Sequence, residues 1–212
     1  MSAQPDSLDY LTHPRDRVLF THTPMLMMPR CGRLPPLAVG HKRYIAAADG
    51  IYLQARHRAL NLTLKLTNAD LPYGSLAEDV DVSGGLIPRA LFDEIVEHAL
   101  SAAPNEWAGL IHWRENEQRY ALTIPQTVVS SASIIEYRTD GIDPHCLVLD
   151  IHTHGHGEAF FSRSHDDLSD QCGIYFASVL GHCYSRHRLT AVTRLVVYGQ
   201  FFTLSWHPWE DE

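Results

Sequence analysis

Two stretches in the N-terminal half of the chain alternate apolar and polar residues, as half-buried β-strands do. RYIAAADGIYLQAR runs from Arg43 to Arg56, and LNLTLKL follows at residues 60–66. The dipeptide Asp49-Gly50 interrupts the first stretch and commonly joins the strands of a hairpin. We therefore predict a small β unit here. Six prolines between residues 5 and 36 precede it and predict irregular chain without long helices.

The C-terminal half alternates between helical and strand patterns. Leu91, Ile95 and Ala99 share one helix face, Pro88 suits the first turn, and Pro104 follows the predicted end. A second helix is predicted near Cys172, which would pack inside it, because apolar residues recur at helical spacing after an acidic first turn. The segment predicted as this helix is HDDLSDQCGIYFASVLGHC, and the predicted strands are EWAGLIHW, RYALTIPQTVVSS, SIIEYRT, LVLDIHTH, AVTRLVVYG and QFFTLSW.

Composition and charge narrow the functional classes. The chain has 212 residues, of which 45% are hydrophobic, enough for one large buried core or two small ones. A formal charge of −8 with 17 scattered Lys and Arg residues argues against nucleic acid as a partner. The four cysteines form no CxxC pair, and no apolar run approaches the roughly 20 residues of a membrane span. We expect a cytoplasmic protein with free thiols.

A histidine-rich stretch, DIHTHGHGEAFFSRSHDD at residues 150–167, begins at the end of a predicted strand. His152 and His154 lie two residues apart, so on a strand both side chains point to one face and can hold one metal ion. A catalytic zinc typically has three protein ligands and an open position. The candidates for the third ligand are His156, Glu158 and the run after Ser164, where His165 and Asp166 are the main choices. A solvated polar loop is the alternative.

The order of four separated elements resembles a known family. Glu106-Trp-Ala-Gly109, then His152-Thr-His154, Ser162 and a further residue at 165 resemble the JAMM motif of the MPN+ (JAB1/MPN/Mov34) metalloproteases. The resemblance implies an α/β fold with an MPN-type mixed β-sheet flanked by helices over residues 86–212. Residues 1–85 would form a proline-rich segment and a small β-containing N-terminal extension.

The resemblance also implies roles for individual residues. His152 and His154 would bind Zn2+, Glu106 would be the general base, and the Ser162 hydroxyl would stabilise an oxyanion. The family has aspartate where this chain has His165, so either His165 is the third ligand or a shifted register recruits Asp166. Both cannot bind one ion without distortion, because adjacent residues of a helix point about 100° apart.

Two further departures from the motif concern single residues. The family's proline after the histidine pair is replaced by Gly155, which we expect to loosen the loop. Ser162 and Ser164 could each cap the following helix, and we assign the cap to Ser164 and catalysis to Ser162. Taken alone, Glu106 would be an exposed strand-end carboxylate, and only the complete motif makes it a candidate base.

The segments LPPL, GLIPRALFDEIV, APNEWAGLI and WHPW resemble, more narrowly, the protein A family of the bacterial PRTRC system. This resemblance implies a zinc metallopeptidase or isopeptidase acting on a ubiquitin-like or sulfur-carrier-like protein, beside a ThiF/E1-like partner. Two alternatives remain open. One is a catalytically inactive MPN scaffold, which the histidine at position 165 favours, and the other is metal storage on a histidine-rich loop.

Overall fold

The computed structural model describes residues 11–210, so Pro5 lies outside the described residues. The chain divides into two compact units. The first runs through Arg56 and resumes over Asn61–Val80, whereas the second contains His57–Leu60 and the chain from Asp81 onward. No helix within residues 11–210 is long and apolar enough to cross a membrane.

The first unit is built on a five-stranded sheet with the strand order β1-β2-β3-β4-β5. β1 is parallel to β2, and β2, β3 and β4 form an antiparallel meander. The short helix α1 precedes the sheet and begins at a proline, whose missing N–H is not needed in a first turn. The bounds are α1 Pro14–His22, β1 Met25–Met27, β2 His41–Ala47, β3 Gly50–Arg56, β4 Leu60–Asn68 and β5 Asp79–Val82.

The predicted hairpin at Asp49-Gly50 is confirmed, with the turn at residues 48–49. The carboxylate of Asp49 accepts hydrogen bonds from the Tyr52 hydroxyl at 3.0 Å and from Lys65 Nζ at 2.5 Å. A side chain could not replace the hydrogen of Gly50, because its Cβ would lie 2.2 Å from the Thr67 carbonyl oxygen. The turn chemistry that identified the hairpin in the sequence therefore also ties it to β4.

The second unit contains a mixed six-stranded sheet with the order β13-β12-β11-β10-β6-β7. β10 is parallel to β11 and antiparallel to β6, so it lies at the centre of the sheet. β8 and β9 form a separate antiparallel pair. The strands are β6 Ala108–Arg114, β7 Arg119–Thr123, β8 Gln126–Ser130, β9 Ile135–Arg138, β10 Leu147–Thr153, β11 Ile174–Gly181, β12 Thr190–Val197 and β13 Gln200–Thr203.

Two helices complete the second unit, α2 over Arg89–Ala102 and the one-turn α3 over Asp166–Ser169. α2 follows the predicted bounds and buries Phe92, Ile95 and Ala99. The predicted α/β class, with a mixed sheet and an N-terminal β-containing region, is confirmed. The predicted boundary between residues 85 and 86 stays a prediction.

The second helix predicted from the sequence was wrong over most of its length. The chain is helical only in α3, and IYFASVLG forms β11, in which all eight residues are buried. Periodicity cannot distinguish a short apolar run in a buried helix from one in a strand that is buried on both faces. The expectation that Cys172 packs inside a helix fails with it, since this thiol is exposed in the loop before β11. The described cysteines are all free thiols, as predicted.

Proline also divides one predicted strand. The sequence predicts one strand over RYALTIPQTVVSS, but β7 ends at Thr123 and β8 starts at Gln126, on either side of Pro125. Proline lacks the N–H that a continuing sheet ladder needs. The chain therefore leaves the six-stranded sheet at this point and forms the β8-β9 pair.

We predict that Leu149→Ala in β10 lowers the free energy of unfolding by about 2–5 kcal/mol, because its side chain is fully buried and truncation leaves a cavity. The measurement is urea unfolding followed by tryptophan fluorescence. Leu168→Ala is the matched control, since that leucine is 71% exposed and its loss should cost less than about 0.5 kcal/mol. Equal losses in the two variants would contradict the central position of β10.

Candidate metal centre

Two imidazoles and one carboxylate converge at the end of β10. His152 is the next-to-last residue of the strand, His154 follows the strand, and Asp166 begins α3. One donor atom from each lies within 4.8 Å of the others, and His152 Nε2 is 3.4 Å from Asp166 Oδ1. No other group of three or more such side chains meets this spacing within residues 11–210.

The loop after β10 orients His154. Its Nδ1 lies 2.9 Å from the carbonyl oxygen of Glu158, and since a carbonyl can only accept, Nδ1 carries the hydrogen. Nε2 is therefore the nitrogen with a lone pair available to a metal. Such a bond from the second ring nitrogen is the usual support of a metal-binding histidine. Glu158 thus contributes its backbone here, and neither it nor His156 belongs to the converging group.

Asp166, and not His165, is the residue that the structure places beside the two histidines. Asp166 is buried, with 8% of its surface exposed, whereas His165 is exposed and precedes the helix. The two side chains diverge because they are neighbours at the start of a helix turn. Of the two choices that the sequence left open, only Asp166 joins the converging group.

Ser162 and Asp166 form a closed turn that fixes the carboxylate. The backbone N–H of Ser162 donates to Asp166 Oδ2 at 2.5 Å, which leaves Oδ1 on the side of His152. The Ser162 hydroxyl oxygen accepts the backbone N–H groups of His165 at 3.2 Å and Asp166 at 3.4 Å. The Ser162 hydroxyl therefore satisfies N–H groups at the start of α3. The N-cap residue is His165, whose side chain makes no capping hydrogen bond, so the assignment of the cap to Ser164 was wrong. Neither accepted bond uses the Ser162 hydroxyl hydrogen.

Glu106 lies just before β6, and its carboxyl lines the same cavity as His152. Only 8% of its surface is exposed, so it is not the solvated strand-end carboxylate that it would be in isolation. Burial, and secondarily the charge of Asp166, raises the pKa of Glu106 to about 7. A carboxyl that titrates near neutrality can both accept and release a proton under physiological conditions.

The register between β6 and β10 brings Glu106 to the histidines. Trp107 and Thr153 exchange two hydrogen bonds of 2.9 Å, one of them through the threonine hydroxyl, so Glu106 and His154 emerge at one end of the sheet. The glycine of the Glu106-Trp-Ala-Gly109 motif is explained by packing. A Cβ on Gly109 would lie 2.4 Å from the Trp107 ring.

The sequence led us to expect that Gly155 loosens the loop, but the structure shows that it does not. Its φ is +51°, and a Cβ there would lie 2.1 Å from the carbonyl oxygen of Pro104. Its own carbonyl accepts the N–H of Cys183 at 2.7 Å. Proline, fixed near φ −65°, could not adopt this conformation. Glycine in place of the family's proline thus gives this loop a different, close-packed conformation.

Arg194 of β12 fastens α3 to the sheet. Its guanidinium donates to Asp167 Oδ1 at 2.6 Å and to Asp170 Oδ2 at 2.6 Å and 3.2 Å, and only 5% of its surface is exposed. The rings of Phe161 and Phe201 lie 4.1 Å and 3.9 Å from it. The two carboxylates belong to the residues one and four positions after Asp166, so this clamp fixes the turn that carries the candidate ligand.

Buried acids beside the centre were not identified from the sequence. Asp150 accepts the Tyr137 hydroxyl at 2.6 Å, and burial raises the pKa of this carboxyl to about 7. Asp170 accepts the Tyr175 hydroxyl at 2.7 Å in addition to Arg194. Strand alternation could have found Asp150, which precedes His152 by two residues and so shares its side of β10. Arg194 had no comparable signal, because it is a single cation within the apolar run AVTRLVV.

Comparison with known families agrees with this geometry. The family described as prokaryotic homologs of the JAB domain matches residues 88–195, just over half of the chain. A domain of unknown function, DUF2016, matches residues 13–83. No curated protein sequence matches the chain.

The matched JAB range includes Glu106, both histidines, Ser162 and Asp166. The predicted membership of the JAMM/MPN superfamily is confirmed, and the narrower resemblance to the PRTRC family stays a prediction. The mixed sheet, the converging donors and the matched range lead to one assignment: this chain belongs to the prokaryotic homologs of the JAB domain.

Proposed function

We propose that the chain is a zinc-dependent metallopeptidase or isopeptidase that hydrolyses an amide bond. The observation that carries the proposal is the convergence of His152, His154 and Asp166 beside the buried carboxyl of Glu106. A metal-storage loop would need the three donors but would have no use for a fourth, separately held carboxyl whose pKa lies near 7. The JAB-type fold supports a hydrolase or an inactive relative equally.

The donor set fits zinc. Two imidazole nitrogens and one carboxylate oxygen match the ligands of known catalytic zinc sites, which keep a further position open. His154 is already held in the tautomer that presents Nε2, and Asp166 already presents Oδ1. Bound zinc would supply a Lewis acid that acidifies a water molecule and polarises the scissile carbonyl.

The residues of the chain divide the remaining work. Glu106 accepts a proton from the attacking water and passes it to the leaving amine, a role that suits a buried carboxyl beside the converging donors. The Ser162 hydroxyl, whose hydrogen is not used by its two accepted bonds, donates toward the oxygen on which negative charge develops. Burial of Glu106 and Asp166 limits the water that would weaken both interactions.

The identity of the substrate rests on the family resemblance. We propose a ubiquitin-like or sulfur-carrier-like protein cleaved at its C-terminus, with a ThiF/E1-like protein of a PRTRC cassette as partner. The alternative is an inactive scaffold that binds such a partner, and the histidine at position 165, where the family has aspartate, favours it. Zinc content and the role of Glu106 separate these two functions.

We predict about one zinc per chain in protein purified without a histidine tag, measured by elemental analysis. His152→Ala and Asp166→Ala should each lose the metal, because each removes one donor of the converging group. His165→Ala should retain it, as should His187→Ala, a matched histidine outside the group. Zinc lost in His165→Ala but retained in Asp166→Ala would make His165 the third ligand. Absence of zinc from the wild type would favour the scaffold.

We predict that Glu106→Gln retains zinc but lowers kcat by roughly 10²- to 10⁴-fold, since glutamine keeps the shape and cannot carry the proton. The assay is mass-spectrometric detection of cleavage of C-terminally extended ubiquitin-like and sulfur-carrier proteins. Glu97→Gln, a matched change at an exposed glutamate of α2, should leave the rate unchanged. Full activity of Glu106→Gln would reject this residue as the base, and zinc binding without any cleavage would favour storage.

We predict that Arg194→Lys weakens zinc affinity by about 10- to 100-fold, the usual effect of losing support for a ligand. Lysine keeps the charge but cannot bridge Asp167 and Asp170 with a planar fork. Competition with a chromogenic chelator measures the affinity. Arg186→Lys, which changes a surface arginine that also bridges two carboxylates, is the control and should have no effect. Unchanged affinity in Arg194→Lys would show that the clamp does not position Asp166.

A further inference from the structure

A cavity of about 730 Å³ lies in the second unit and reaches the candidate metal centre. Glu106, His152 and Asp166 line one part of it. The volume lies within the range of sites that take small molecules. A substrate whose scissile carbonyl faces these residues would therefore have the cavity directly beside its reacting atoms.

The cavity extends from the centre into the apolar core of the unit. Leu110, Leu147, Tyr175 and Ala177 belong to one buried cluster, and Ile142 and Phe161 pack against it. These same side chains line the cavity. An apolar group that enters would leave water for a surface that makes few polar demands, which is the main source of binding free energy for such groups.

Two carboxylates that line the cavity are already partnered within the protein. Asp150 accepts the Tyr137 hydroxyl, and Asp170 accepts the Tyr175 hydroxyl and two bonds from Arg194. A ligand is not needed to satisfy these carboxylates. These carboxylates therefore favour a cationic ligand less strongly than the apolar walls of the cavity favour an apolar ligand.

An exposed aromatic residue continues the apolar surface to the outside. Phe160 is 54% exposed, lines the cavity, and its ring lies 4.5 Å from that of His154. An aromatic side chain left in water beside a candidate metal ligand is available to contact a substrate. The apolar path thus runs from the surface, past the centre, into the core.

We infer that this cavity is a substrate subsite that takes the apolar side chain of a residue flanking the scissile amide. The inference rests on the proposed function, because the metal centre defines where the amide lies. It adds a selectivity: substrates with a bulky aliphatic or aromatic residue at this position are preferred over those with a polar or charged one.

Alkyl hydroxamates test the subsite, because the hydroxamate group chelates zinc and the alkyl chain must lie next to it. We would titrate the zinc-loaded full chain with acetohydroxamate, butanohydroxamate and hexanohydroxamate by calorimetry. The expected result is a gain of about fourfold per methylene group, or roughly 250-fold across the four methylene groups that the series adds. Acetohydroxamate binding with no gain from longer chains would overturn the subsite while leaving the metal centre intact.

A variant that fills the cavity tests where the alkyl chain of the hydroxamate binds. Ala177 of β11 lines the cavity, and Ala177→Leu should abolish the gain with chain length while leaving acetohydroxamate affinity unchanged. Ala191→Leu, on the neighbouring strand β12 and outside the lining, is the matched control and should keep the gain. Persistence of the gain in Ala177→Leu would place the alkyl chain elsewhere and overturn the inference. The wild-type series remains decisive even if Ala177→Leu does not fold.

A charged analogue decides between the apolar ligand and a basic one. We expect 6-aminohexanohydroxamate to bind more weakly than hexanohydroxamate, because its ammonium group would have to leave water. Tighter binding of the amino compound would assign the cavity to a lysine-like side chain and overturn the apolar subsite. If no hydroxamate binds the protein, both the metal centre and the subsite are rejected. If acetohydroxamate binds but longer chains bring no gain, only the subsite is rejected.

Discussion

The contact between Arg194 and the two carboxylates of α3 is the interaction on which the candidate centre depends. A helix of one turn has almost no stability of its own, because nucleation costs more than its few hydrogen bonds return. Asp167 and Asp170 anchor this turn to β12 through a guanidinium held between two aromatic rings. The buried guanidinium of Arg194 and the buried carboxylate of Asp170 are each costly to leave unpaired, so the arrangement is restricted to one geometry.

The central strand β10 supplies the second constraint. Its parallel neighbour β11 and antiparallel neighbour β6 fix its register on both sides, and a slip of one residue would turn His152 toward the opposite face. The same register places Glu106 at the end of the strand where the histidines emerge. The geometry of the candidate centre is therefore a property of strand pairing, with the loops supplying the tautomer of His154 and the position of Asp166.

Much of this arrangement could be predicted because its signals are local. The Asp49-Gly50 turn, the periodicity of α2 and the alternation around His152 each depend on a few neighbouring residues. The errors arose where burial on both sides removes periodicity, as in β11, or where partners are distant in sequence. Arg194 and Asp167 are 27 residues apart, and nothing near either residue indicates the pairing. The choice between His165 and Asp166 likewise depends on how one helical turn sits against the sheet, which spacing alone does not determine.

The closed turn from Ser162 to Asp166 makes two chemical groups parts of one mechanical unit. The serine backbone holds the carboxylate, while the serine hydroxyl holds the backbone N–H of the aspartate. A ligand of the hydroxyl and a ligand of the carboxylate would both select the ordered form of this turn. Thermodynamic linkage then requires each to raise the affinity of the other by the same factor. A substrate bound at Ser162 would in this way raise the affinity of Asp166 for an ion, and the ion would in turn raise the affinity of the turn for the substrate.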